Sequence, residues 1–453
     1  VSRAALAFAF CGLALLAGCG GARPSADGRA NGYTPGVPDF DLDASVISAV
    51  DPVEIEALVS IPRSSLVFTR DDEGFRTIVR TAFRLSDLEN TPLASPARAD
   101  TLRVATYAET ASFVPLVVRQ RLPAVAGALV VQAEVEDVRT GRTALRRLSI
   151  RVPEPSEGLA LGLPRLRGIL ATTQAYQPLL ALGVPSDLDS LQVRLDVFGA
   201  AGAVSVRADL LRLRADTTVA EPPSAFAPSR VSLRARGVLA SDPDTVLVSR
   251  QRIPSPDARL TIETALPPLA PGVYRIVMTA EGDAREEATT ERTFVVRPED
   301  FPLLVGVEDL VQPLAYLATP REKNLLRDAG PDSLRFAFDA FWGGLFRDRR
   351  QAAATFRAYY ERVEEANRRF STYTEGWKTD RGMIYVIFGP PERVENRFDR
   401  EVWSYASGVF AFERTARRES GDAPFDVWTL VRDRAYDAQW RRAIRLWRNG
   451  QPP

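Results

Sequence analysis

The stretch EGWKTDRGMIYVIFGPPERVE, Glu375 to Glu395, decides how the last third of this chain is read. Met383 to Phe388 is an unbroken run of six apolar residues. Such a run, bounded by turn residues, fits a strand covered on both faces. TDRG before it reads as a β-turn with Gly382 at its last position. Pro390 and Pro391 after it cannot donate to a ladder and end the strand. EVWSYA (401–406), VFAFER (409–414) and FDVWTLVRD (425–433) supply further strands.

Upstream, the periodicity is helical. ATPREKNLLRDAGP (318–331) carries both ends of a helix: Thr319 to cap, Pro320 at the first position, Glu322 to complete a capping box, and Gly330-Pro331 to stop it. Leu334, Phe338, Phe341, Trp342 and Leu345 fall on one stripe, as do Phe356, Tyr360, Val363 and Phe370. RDRAYDAQWRRAIRLWRNG (432–450) is a basic amphipathic helix, read as an arginine-rich outer face over Trp440, Ile444 and Trp447; a membrane-surface contact is the alternative. All six tryptophans lie after residue 340, so this part has a core of its own. Helices followed by a small antiparallel sheet make an α+β domain.

From about Val53 to Arg297 the pattern changes to short alternating strands, as in FRTIVRTAFRLSD (75–87), ALVVQAEVEDVRTGRTALRRLSIRV (128–152), QVRLDVF (192–198) and VSVRADLLRLR (204–214). Proline and glycine interrupt it in Val152–Gly168. LPPLAPGVYRIVM (266–278) resembles the penultimate strand of an immunoglobulin-like module. The expectation is a multidomain, mainly β chain: two immunoglobulin-like antiparallel β-sandwich modules, 51–155 and 165–298, then an α+β domain, 301–453.

Lys+Arg and Asp+Glu both number 58, so no net basic field favours nucleic acid. The chain has no histidine, and its two cysteines, Cys11 and Cys19, both lie in the first twenty residues. A Cys/His zinc site, a Cys–His dyad and a Ser-His-Asp triad are thereby excluded within it. No metal and no cofactor is expected. Only Lys323 and Lys378 among the basic residues are lysine, an arginine bias typical of GC-rich coding.

The first residues pair Arg3 with an apolar run, Ala4 to Ala17. LAGC (Leu16–Cys19) resembles the lipobox of bacterial lipoproteins. The resemblance implies a signal peptide over 1–18, a lipidated Cys19 and a tether over 19–50, rich in Gly, Pro and Ala. It also implies a membrane partner through the N-terminal lipid, since two or three acyl chains anchor firmly where one does not. Gly20 after that cysteine resembles an outer-membrane sorting pattern.

Gly376, Trp377, Thr379 and Asp380, with Lys378 at the variable place, resemble the signature of the GWxTD family of bacterial envelope lipoproteins. YYERVEEANRRF (359–370) and Phe341-Trp342 are similar to its lead-in, whereas GGLFRDRR (343–350) departs from it. The resemblance spans roughly 300–435. It implies architecture and brings no activity with it.

Two functions follow as expectations. One is a lipid-anchored, non-catalytic binding or scaffolding protein of the cell envelope, with a protein or glycan partner and no nucleic acid. The other is a carboxylate-dependent hydrolase of envelope polysaccharide, which needs no histidine. Glu375 and Asp380 are its candidate catalytic residues, with Glu392 nearby and RFDRE (397–401) as a source of a second acid.

Overall fold

The computed structural model describes residues 33, 36–49, 52–112, 115–154, 158–170, 174–200, 202–223, 238–255, 259–283, 286–397, 399–416 and 425–453. Cys11, Cys19 and the Leu16–Cys19 signature lie outside them. The first unit comprises β1 (Asp41–Ser48), β2 (Glu54–Pro62), β3 (Thr69–Asp71), β4 (Gly74–Ser86), β5 (Pro92–Ala94), β6 (Ala97–Val104), the single turn α1 (Tyr107–Thr110), β7 (Pro115–Pro123), β8 (Gly127–Asp137) and β9 (Arg142–Val152). One sheet runs β1-β2-β7; the other runs β3-β4-β8-β9, with β5 and β6 on β4. Alternate residues fill the space between them: Leu42, Ile55 and Val59 from one sheet, Val79, Phe83 and Val131 from the other. This corrects the expected tether over 19–50. Asp41–Ser48 is a buried strand paired with β2, because Leu42, Ala44 and Val46 alternate into that core.

The second unit comprises β10 (Ala160–Leu161), β11 (Arg165–Ile169), β12 (Gln177–Leu179), β13 (Val184–Pro185), β14 (Ser190–Phe198), β15 (Gly202–Ala215), β16 (Val238–Ser255), β17 (Arg259–Leu266), β18 (Gly272–Glu281) and β19 (Glu287–Arg297). Its sheets run β10-β14-β11-β12, with β17 on β14, and β13-β19-β18-β15-β16. Pairing is antiparallel except between β13 and β19. Val193, Leu195, Leu210, Ile276 and Phe294 meet in its core. The Tyr274 hydroxyl donates to the Ala270 carbonyl at 2.8 Å and fixes the turn into β18.

The third unit begins with α2 (Val307–Val311), α3 (Pro320–Asp328), α4 (Pro331–Leu345), α5 (Arg349–Phe370) and α6 (Asp380–Phe388). It ends with β20 (Arg393–Asn396), β21 (Arg400–Tyr405), β22 (Gly408–Ala416), β23 (Val427–Leu430) and α7 (Tyr436–Arg448). Thr319 and Glu322 form the expected capping box on α3. Phe338, Phe341 and Trp342 of α4, Tyr360, Val363 and Phe370 of α5, and Trp440 and Trp447 of α7 are buried in one core, as their stripes required. In GGLFRDRR, α4 ends at Leu345 and Asp348 caps α5.

Met383–Phe388 is not a strand. It is the body of α6, a helix whose nine residues are all buried. An apolar run that short fits either structure, and a helix wrapped on every side needs no polar face. The sheet β20-β21-β22-β23 lies beside it, with β21, β22 and β23 where they were expected. Among the described residues no helix is long and apolar enough to cross a membrane.

Candidate functional site

The TDRG segment is a helix start. Thr379 is the N-cap of α6: its Oγ1 accepts from the Gly382 N–H at 3.0 Å and donates to the Gly376 carbonyl at 2.7 Å. Gly376–Lys378 is a single 3-10 turn in front of it. A Cβ on Gly376 would collide with the Ala366 carbonyl of α5, and one on Gly382 with the Gly376 carbonyl. Both glycines therefore allow backbones to meet where a side chain has no room.

Trp377 is 2% exposed. Its N–H donates to Asn367 Oδ1 at 3.3 Å, and its carbonyl accepts from the Tyr316 hydroxyl at 2.8 Å. Asn367 also donates to the Pro302 carbonyl at 3.2 Å, so one α5 side chain joins the motif to the segment that enters the lobe before α2. Asp380, also 2% exposed, accepts from the Leu430 N–H at 2.9 Å and from both terminal nitrogens of Arg432 at 2.6 and 3.2 Å. It thereby ties the first turn of α6 to β23. A carboxylate at a helix N-terminus also meets the positive end of the helix dipole.

Glu375 accepts from Lys378 Nζ at 2.7 Å and from the Thr374 hydroxyl at 3.0 Å. Burial raises its carboxyl, but Lys378 and these hydrogen bonds outweigh that and hold it below the usual carboxylate range. Glu392 is exposed on the way into β20. The acid that RFDRE brings to the motif is Glu401, which is 0% exposed. It accepts from Trp403 Nε1 at 2.5 Å and from the Tyr33 N–H at 3.0 Å, and lies 3.6 Å from the Arg381 guanidinium. Arg381 is itself stacked over Phe370 and Trp428, at 5.2 and 5.3 Å from their ring centres. Burial raises the Glu401 carboxyl, partly opposed by Arg381.

Sequence reasoning reached Glu401 only within RFDRE, as a source of a second acid, and missed Arg432 as a partner of the motif. A signal existed for Glu401, two residues before the inward-facing Trp403 and thus on the same strand face. None existed for Arg432, which reaches Asp380 across 52 residues.

A cavity of about 20 Å³ lies against Thr379, Asp380, Arg381 and Trp428. It has room for about one water molecule and none for a sugar ring. Among the described residues no cluster of acids has the arrangement of a metal site.

Residues 277–449 match the GWxTD domain. The match is wider at both ends than 300–435 and begins inside β18. No curated protein matches the chain. Among solved structures, a red sea bream transglutaminase is 10% identical, covered over 57% of this chain and 31% of that one, with a TM-score of 0.19. A Salmonella alpha-2-macroglobulin mutant is 12% identical, covered over 58% of this chain and 17% of that one, with a TM-score of 0.17. The chain thus spans less than a third of either protein's length, and at such TM-scores the likeness carries no argument. What remains is the motif in its matched lobe: residues 277–449 of this chain carry a GWxTD domain.

Proposed function

We propose that this chain is a lipid-anchored protein of the bacterial cell envelope, with a binding or scaffolding role and no catalytic one. One observation carries the second half of that reading: the polar groups of the motif are engaged in holding the lobe together. Thr379 caps, Asp380 joins α6 to β23, and Glu375 pairs with Lys378. A general acid and base need a substrate within hydrogen-bond reach, and the cavity beside these residues holds about 20 Å³. The anchoring half rests on Leu16–Cys19 and the apolar run before it. Tethering would raise the effective concentration of the modules toward any membrane-bound partner.

The test has two arms. Intact mass of the mature chain from bacterial envelopes is expected to show Cys19 as the first residue, carrying acyl groups; an unmodified thiol overturns anchoring. Incubation with purified envelope polysaccharide is expected to release no product. Turnover that disappears in Asp380→Asn or Glu375→Gln would establish the hydrolase instead.

A further inference from the structure

A cleft of about 230 Å³ lies away from the motif, between the first two units. It arises from strand alternation. In β2, Ile55, Ala57 and Val59 face the first core, leaving Glu54, Glu56 and Leu58 on the opposite face. In β7, Val118 and Leu122 face that core and Arg119 and Arg121 do not. In β14, Val193 and Leu195 face the second core, so Arg194 points the other way. Two sheets therefore turn charged faces toward each other, and arginines dominate: Arg119, Arg121, Arg165, Arg167, Arg194 and Arg259. Arg292 closes the floor, paired with Asp43 and donating to the Pro164 carbonyl at 2.8 Å.

The carboxylates present do not neutralise them. Asp196 serves both Arg165 and Arg259; Glu263 serves Arg167 at 3.2 Å and Arg194 at 4.0 Å. Glu56 lies 3.3 Å from Arg119. Arg121 has no ion pair among the described residues, and the buried Nε atoms of Arg165 and Arg194 have no hydrogen-bond partner there. Seven lining guanidinium groups stand against Asp43, Glu54 and Glu56 in the lining and Asp196 and Glu263 beside it, which leaves two positive charges.

We propose that this cleft binds a small phosphate monoester. Such a group carries about −1.5 to −2 charges at neutral pH and three acceptor oxygens, which matches the excess. Arginine forks present paired N–H groups to phosphate. The volume lies below the roughly 300–1,000 Å³ of drug-sized pockets, so the ligand is a headgroup or a sugar phosphate, not a polymer. The inference gives a ligand class to the binding role proposed above and rests on that reading.

The full chain is titrated calorimetrically with sn-glycerol 3-phosphate, and separately with dihexanoyl phosphatidic acid below its micelle concentration. Saturable binding of the first points to a free phosphate monoester; binding of the second alone points to a lipid headgroup. In either case Arg121→Gln with Arg194→Gln is expected to weaken it at least about tenfold, the loss of two charge-assisted contacts. Arg335→Gln, exposed on α4, should leave it unchanged. Should the double variant melt at a lower temperature, Arg121→Gln alone carries the test, since that side chain is exposed and unpaired. Binding of neither probe, or undiminished binding by the variants, overturns the site. Release of inorganic phosphate in the same cell would overturn the non-catalytic reading while leaving the site standing.

Discussion

Asp380 and Glu401 are two acids a short distance from one helix start, and their surroundings push them to different duties. Asp380 has a backbone N–H and a forked guanidinium on its two oxygens. Removing one partner of a buried pair costs about 3–5 kcal/mol, so Asp380→Ala should lower stability by roughly that amount. Asp380→Asn should cost less, because an amide oxygen still accepts from Leu430. Urea midpoints of the two variants check this, and equal losses would contradict it. Glu401 has weaker compensation, its nearest cation being 3.6 Å away, and burial raises its carboxyl. The fold therefore favours its protonated form. The resulting stabilisation is present below the ordinary glutamate value of about 4.3 and is lost as pH rises through the raised folded value. Wild type minus Glu401→Gln, measured by urea unfolding across that window, should decline with pH; a flat difference would show that Glu401 titrates normally.

α6 is the element on which the lobe is built, and it was the one misread. Six apolar residues in a row contain no period, so they cannot choose between strand and helix. The punctuation could have chosen: Thr379 and Asp380 in front, Gly389 at φ +78° behind, then two prolines. The same marks were decisive at α3, where Thr319, Pro320 and Glu322 are seen as expected. Here Gly382, the glycine of TDRG, was assigned to a turn, when its absent Cβ is what lets the α6 backbone lie on the Gly376 carbonyl. This ranks two substitutions. Thr379→Ala removes a cap, a loss of about 1 kcal/mol. Gly382→Ala drives a methyl into backbone that cannot rotate away, and should cost about 3 kcal/mol or more. Thermal melts showing the alanine at 379 as the worse of the two would remove the close-packing account of the motif.

At the scale of the molecule, the strands of the two β units were legible because charged and apolar residues alternate, but how those units meet was not. Alternation marks one strand face as polar without saying whether it meets water or another charged sheet, and β2, β7, β11 and β14 meet each other. The stretch before β1 was illegible for a related reason. Tyr33 sits among Gly, Pro and Ala with no period, yet it is buried in the GWxTD lobe, its N–H on Glu401 and its ring edge-on to Phe370. Ala220, from the segment after β15, joins the same core and donates to the Lys378 carbonyl at 3.0 Å. Leu213, Val273 and Val295 of the second unit pack on Tyr373, Phe425 and Val427 of the lobe, while the guanidinium of Arg297, pushed down to about 10 by burial, donates to the Thr372 carbonyl. The lobe is thus finished by pieces lying outside 301–453. Expressed alone, that fragment loses Tyr33, Ala220 and the apolar cover over Phe425 and Val427, and each large side chain uncovered forfeits about 1.5–3 kcal/mol. Against the 5–15 kcal/mol that domains of this size possess, several such losses are decisive. The fragment is expected to bind a hydrophobic dye and to melt without a cooperative transition, whereas the whole chain melts cooperatively. A fragment that melts sharply, at the temperature of the intact lobe, would mean that those outside contacts are incidental to the core.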